Sequence, residues 1–246
     1  MDAQHDDQPW PQAGRERQVL PQPIAFIGTG IANPEAEMLA RLNPGTVMMM
    51  GDNPALPRMP KKPQLLDFYR LRFQDITTRH LLQSASLALN ADLPEKVVMA
   101  CLLHDISNGA LIRADHGYWG AQMIGPYVDE EIAWAVKYHT PLRYFADESV
   151  GYQYPEGYNR FFGPDYEIPE YVRRDAEYAR NHRWYMTSRL VTMNDLYSFD
   201  PTVAIDPEIF TDIIGRHFRT PEEGLGFDSS PAAHMWRTMI WPNNFL

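Results

Sequence analysis

Through the middle of this chain, apolar residues recur every three or four positions. The segment 76–91, ITTRHLLQSASLALNA, has this spacing and predicts an amphipathic helix, with Asp75 or Thr77 available as its N-cap. The next segment, 91–107, ADLPEKVVMACLLHDIS, has Pro94 where a first helical turn tolerates proline, and Gly109 follows soon after its end. A second helix is therefore expected to run through His104 and Asp105. Asp115 is placed to cap 116–125, HGYWGAQMIG, and Asp129 to cap 130–139, EEIAWAVKYH, which Pro141 should stop or kink. Residues 168–198 read as largely helical, and strand-type alternation is scarce. The expected fold class is all-α, a helical bundle.

The flanks differ in character. Residues 1–64 read as an extended arm with proline-rich wrapping loops, 65–200 as the helical domain, and 201–246 as a C-terminal helix followed by a docking tail. Within the arm, Gly28 and Gly30 suggest a dinucleotide fingerprint, but Asn33 stands at the third glycine position and no strand-then-helix frame surrounds it. A turn is expected there. Residues 145–167, rich in Tyr, Gly and Pro, read as a structured loop or lid. The tail carries Trp236 and Trp241 among Met and Ile residues, and is expected to dock on the domain or to join two copies as a homo-oligomer.

Charge narrows the partners. The 246 residues carry a formal net charge of −10, which argues against nucleic acid or an anionic membrane surface and leaves a small molecule as the expected partner. A lone cysteine cannot form an internal disulfide, the N-terminal residues lack a signal pattern, and no apolar run is long enough for a bilayer, so a cytoplasmic protein is expected.

The chemistry lies in the histidines. His80, His104, His116 and His139 fall one on each of four successive predicted helices; Asp105 follows His104 directly, and Asp195 lies near the end of a fifth helix. A bundle can direct one side chain from each helix into a shared cavity, which is how metal sites are built between helices. Imidazole with carboxylate suits a transition metal better than Mg or Ca, and this set exceeds what one tetrahedral ion needs. It matches two ions bridged by a carboxylate. His182 and His217 have no comparable setting and read as surface or packing residues.

The ordered set, in TRHLLQSA, ACLLHDIS, DHGYWGAQMIG, VKYHTPLRYF and RLVTMNDLYS, resembles the HD-domain superfamily of metalloenzymes over residues 65–200. His80 to His104 and His116 to His139 stand 24 and 23 residues apart, and a long gap follows before Asp195. These spacings are similar to the mixed-valent di-iron oxygenase branch, which includes the phosphonate-degrading oxygenases and myo-inositol oxygenase. The resemblance implies an HD-type helical fold and two metal ions, iron in the first instance, with manganese or another transition metal as the alternative. It implies that His80, His104, Asp105 and Asp195 hold one ion and His116 and His139 the other, with Asp105 bridging. Arg143 takes the place of a substrate-binding lysine, and Arg143 or Arg189 can clamp an anionic substrate. The pattern departs from the branch at Ser107 and Asn108, after the doublet, and at Thr192, where a basic residue is expected.

Two reactions fit the resemblance. An oxygenase would use O2 to oxidise a carbon bearing a hydroxyl on a small, anionic substrate. A phosphohydrolase or phosphodiesterase would use the same ions to clamp a phosphoryl group and acidify a water. A non-catalytic HD-fold binding protein is a third reading, and would be expected to have lost ligands.

Overall fold

The structure is a computed structural model that describes residues 57, 59–60, 63–109, 113–163 and 165–221. The Gly28–Gly30 segment, most of the N-terminal arm and the tail with Trp236 and Trp241 lie outside the described residues. Among the described residues the architecture is all-α, with one isolated bridge between Asp147 and Tyr152. No helix among them is long and apolar enough to cross a membrane.

The helices in chain order are α1 Leu65–Leu71, α2 Asp75–Asn90, α3 Glu95–Cys101, α4 Ile106–Gly109, α5 His116–Ile124, α6 Glu130–Leu142, α7 Glu156–Phe162, α8 Glu170–Arg180, α9 Tyr185–Asp195 and α10 Thr211–His217. The apolar stripe of α2 (Leu81, Leu82, Ala85, Ala88) meets Val97, Val98 and Met99 of α3, Met123 and Ile124 of α5, and Ile132 and Val136 of α6 in one core. Each fully buried Leu, Met or Phe there contributes about 1.5–3 kcal/mol relative to exposure. Phe210, Ile213, Ile214 and Phe218 join the same core, so α10 packs on the bundle that carries the histidines. A smaller cluster of Tyr138, Leu142, Ala176 and Ala179 seats α8 against α6. Helix α6 therefore lies centrally, packed on α3, α5, α8 and α9.

Several local expectations are corrected. Helix α3 stops at Cys101, so His104 and Asp105 occupy a turn before α4 rather than a continuous helix. The bonds from Leu103 N to Ala100 O and from Ile106 N to Leu103 O tighten the path. The Cys101 carbonyl, which would accept Asp105 N–H in a continuous helix, takes the His104 ring Nδ1–H at 2.9 Å. Asp129 caps α6, accepting Ile132 N–H at 3.0 Å. Asp115 precedes α5 but sits in the left-handed region (φ 49°), and its carboxylate accepts the Tyr171 hydroxyl instead of a first-turn amide. The N-cap of α2 is Gln74; Asp75 is already helical and pairs with Arg79 at 2.9 Å. Pro141, expected to stop or kink α6, sits inside its last turn, and the helix ends one residue later at Leu142.

The span 168–198, expected to be largely helical, holds α8 and α9, separated at Asn181–Trp184, where the His182 ring stacks on Trp134 with centroids 4.3 Å apart. The expected loop at 145–167 contains a 3-10 turn, Glu148–Val150, closed at Gly151 (φ 77°), and then helix α7. Positive φ at Gly151 has little cost because the residue lacks a Cβ.

Candidate metal centre

Five elements bring the histidines and aspartates together. His80 comes from the first half of α2, His104 and Asp105 from the turn after α3, and His116 from the first residue of α5. His139 comes from the last turn of α6 and Asp195 from the end of α9. The close approach of α5 to α6 depends on Gly117. A Cβ there would lie 2.6 Å from Thr140 Oγ1, 2.7 Å from Lys137 O and 2.8 Å from Val136 O. With no side chain in the way, His116 Nε2 comes within 3.2 Å of His139 Nε2.

The four rings share one orientation. Each Nδ1 faces a backbone carbonyl: His80 to Ser198 O at 3.1 Å, His104 to Cys101 O at 2.9 Å, His116 to Arg113 O at 3.1 Å and His139 to Val136 O at 2.6 Å. A carbonyl can only accept, so each Nδ1 carries the hydrogen and each Nε2 is turned inward. His80 Nε2 lies 2.9 Å from His104 Nε2 and 3.1 Å from Asp195 Oδ1. Asp105 stands between the halves. Its Oδ2 is 3.5 Å from His80 Nε2, while its Oδ1 is 3.3 Å from His116 Nε2 and 3.7 Å from His139 Nε2. His80, His104 and Asp195 form one group able to hold a metal ion, and His104, Asp105 and His139 form another. His104 and His139 are wholly buried, whereas the Asp105 side chain is 18% exposed, so the centre opens at Asp105.

The electrostatics follow from two carboxylates enclosed with imidazoles. Burial works to raise both Asp105 and Asp195, but His104 and the other rings hold both well below the usual carboxylate range. Burial opposes charge on His104, yet Asp105 and Asp195 beside it lift its pKa to about 9. Burial dominates at His116, lowering it to about 4, and lowers His139 as well. His116 and His139 are thus neutral, with two unprotonated Nε2 atoms facing each other. The Thr140 hydroxyl, 3.1 Å from His116 Nε2 and 3.4 Å from His139 Nε2, supplies a single hydrogen to this pair. Converging lone pairs beside two carboxylates suit a bound cation, and the all-N/O donor set suits a transition metal.

The two arginines part company. Arg189 is wholly buried and its donors are committed: Nε to the Tyr185 hydroxyl at 3.0 Å, Nη1 to Leu142 O at 3.0 Å and Nη2 to Phe145 O at 3.2 Å, with the Tyr152 ring 4.4 Å from the guanidinium carbon. It braces the fold, and the expectation of an anion clamp falls to Arg143. That guanidinium lies over the rings of Tyr144, Tyr158 and Phe162 at 5.1, 5.5 and 6.0 Å, and its buried Nε has no hydrogen-bond partner among the described residues. Beside the end of α9, a cavity of about 540 Å³ is lined by residues including Tyr152, Tyr154, Met193, Leu196 and Tyr197.

Sequence reasoning missed Thr140 and Ser198. Thr140 directly follows His139, with nothing in the pattern to mark it. Ser198, three residues after Asp195, carried a faint signal as a polar residue at a helix end.

An HD domain family model matches residues 77–161, a stretch holding His80, His104, Asp105, His116, His139 and Arg143 and ending before Asp195. No curated protein matches the chain. The match supports the HD-superfamily resemblance, and with it a metal-dependent enzyme whose His and Asp groups can hold metal.

Proposed function

We propose that this chain is a dinuclear metalloenzyme of HD type, with iron as its metal, that uses O2 to oxidise a small hydroxylated anion. The observation that carries the dinuclear reading is the placement of Asp105, whose Oδ2 faces His80 while its Oδ1 faces His116 and His139, with His104 Nε2 at 4.0 Å from Oδ1. His80, His104 and Asp195 would hold one ion and His116 and His139 the other, with Asp105 shared between them. When bound, the ions supply O2 activation and polarise the substrate hydroxyl.

The chain's own residues bind, orient and shield. Arg143 presents its free Nε–H to the anionic end of the substrate, held in place by the aromatic rings stacked on it. Tyr144, Tyr158 and Phe162 keep bulk water from that guanidinium, which strengthens its pull on an anion. A shielded guanidinium of this kind serves either reaction, and under the oxygenase reading it would also limit side reactions near the substrate's anionic end. The hydrolase reading is favoured by the family match, because HD domains are usually metal-dependent hydrolases. Under it the same ions and Arg143 would grip a phosphoryl group.

The test is to load the protein anaerobically with Fe(II), count iron per chain, and follow O2 uptake across hydroxylated carboxylates and phosphonates. Phosphate release from phosphate esters is assayed in parallel. Two irons per chain with substrate-dependent O2 uptake are expected. Asp105→Asn should lower iron content and reduce turnover at least about a hundredfold, as loss of a charged bridging ligand would. Phosphate release without O2 uptake would overturn the oxygenase reading in favour of hydrolysis.

A further inference from the structure

His80 is held differently from the other three rings. His104, His116 and His139 each reach a carbonyl three residues earlier in their own segment, so local backbone sets their pose. The partner of His80 lies 118 residues away, in the segment that follows α9. There Ser198 offers two oxygens to Nδ1, its carbonyl at 3.1 Å and its hydroxyl Oγ at 2.9 Å. That hydroxyl donates to the Asp195 carbonyl, which also receives Ser198 N–H, so its lone pair is left to accept from the ring. Ser198 therefore ends the helix that carries Asp195 and, with the same hydroxyl, orients His80.

The segment is fastened from the His80 side. Gln83, one turn along the same face of α2, donates to Asp200 O at 2.7 Å and to Val203 O at 3.0 Å, and accepts Asp200 N–H at 2.9 Å. Every hydrogen-bonding group of that buried amide is used on the 198–203 backbone. Phe199 completes the grip. Its ring stacks on the His80 ring at 4.2 Å and 16°, although the residue is 66% exposed. A large apolar side chain left that open to solvent is explained by what its inner face covers.

We infer that Gln83, Ser198 and Phe199 form a clasp that sets the tautomer and pose of His80, making Gln83 and Ser198 positioning residues for one half of the centre. The inference rests on the dinuclear reading above for its metal consequence, but the tautomer of His80 does not depend on it. With the clasp intact, His80 keeps its hydrogen on Nδ1 and turns Nε2 to the ligand cluster. With the clasp open, the ring can rotate and place its hydrogen on Nε2, which spoils it as a ligand. Outer hydrogen bonds of this kind change metal affinity by about 10–100-fold.

The test uses the full chain as wild type, Ser198→Ala, Ser198→Thr and Gln83→Leu. Asp200 and Val203 are exposed, so water can take over the backbone groups that Gln83→Leu releases, and that variant keeps the test sound if Ser198→Ala folds poorly. In metal-free protein, 15N–1H spectra of the imidazoles should place the His80 hydrogen on Nδ1 in wild type and Ser198→Thr. A substantial Nε2–H population is expected in Ser198→Ala and Gln83→Leu, with His104, His116 and His139 unchanged. Titration with Co(II), followed by its visible absorption, should show about a tenfold or greater loss of affinity at one ion in those two variants, while the second binds as in wild type. Wild-type tautomers in both variants, or equal weakening of both ions, would overturn the clasp. A wild-type protein that takes up fewer than two Co(II) ions would count against the dinuclear reading, and the tautomer result would still decide the clasp.

Discussion

At the scale of single residues, the centre is a problem of where hydrogens sit. Fixing Nδ1–H on four rings leaves four inward nitrogens beside two carboxylates, and in the metal-free protein one proton on His104 holds that group together. The folded pKa of His104, about 9, lies above its ordinary value, so its stabilisation is complete below the unfolded pKa and is lost as pH rises towards 9. His116 and His139 are lowered and stay neutral across that window. Metal-free protein should therefore be less stable to urea at about pH 8.5 than at about pH 6.5, by on the order of 2 kcal/mol, and metal loading should flatten this slope. An equal urea midpoint for the metal-free protein at both pH values would show that His104 holds no such proton.

At the scale of elements, the sequence pattern located the helices better than it located their ends. The period of 76–91, and the period of 130–139 with its Asp129 cap, led directly to α2 and α6. The ends were hidden because side chains compete for backbone partners over distances the local pattern does not carry. His104 takes a carbonyl from α3, and Tyr171 takes the carboxylate of Asp115. The α5–α6 contact is the most exacting element pair, since two of the three atoms crowding a Cβ at Gly117 are backbone oxygens. Gly117→Ala should force the helices apart, cost about 1–3 kcal/mol and weaken metal binding through His116 and His139. Thermal melting and metal titration would check this, and an unchanged melting temperature would mean that α5 shifts without strain.

At the scale of the described unit, α6 and α9 are the supports on which the centre is mounted, and Arg189 links them. It joins α9 to the end of α6 at Leu142 and to the start of the 145–163 segment at Phe145, and it underlies the Tyr152 ring. Arg189→Met should leave two carbonyls short of a donor and lower stability by about 2–4 kcal/mol in denaturant melts. It should also make the 145–163 segment more sensitive to proteolysis. A role in substrate binding would instead raise KM and leave the melting curve in place.

By itself the sequence determined the helical class and a set of histidines and aspartates whose spacing suited a shared centre, because periodicity and residue chemistry are local properties. Arg143 and Arg189 were both candidates there for clamping an anionic substrate. Only the tertiary structure separated them, by giving one an unpaired buried Nε and the other three carbonyl and hydroxyl partners. It alone turned Asp105 between two imidazole groups, and it brought Ser198 to His80 across 118 residues. The reason is physical: a ligand atom's direction depends on the partner of the atom behind it, and for His80 that partner is supplied by another part of the fold.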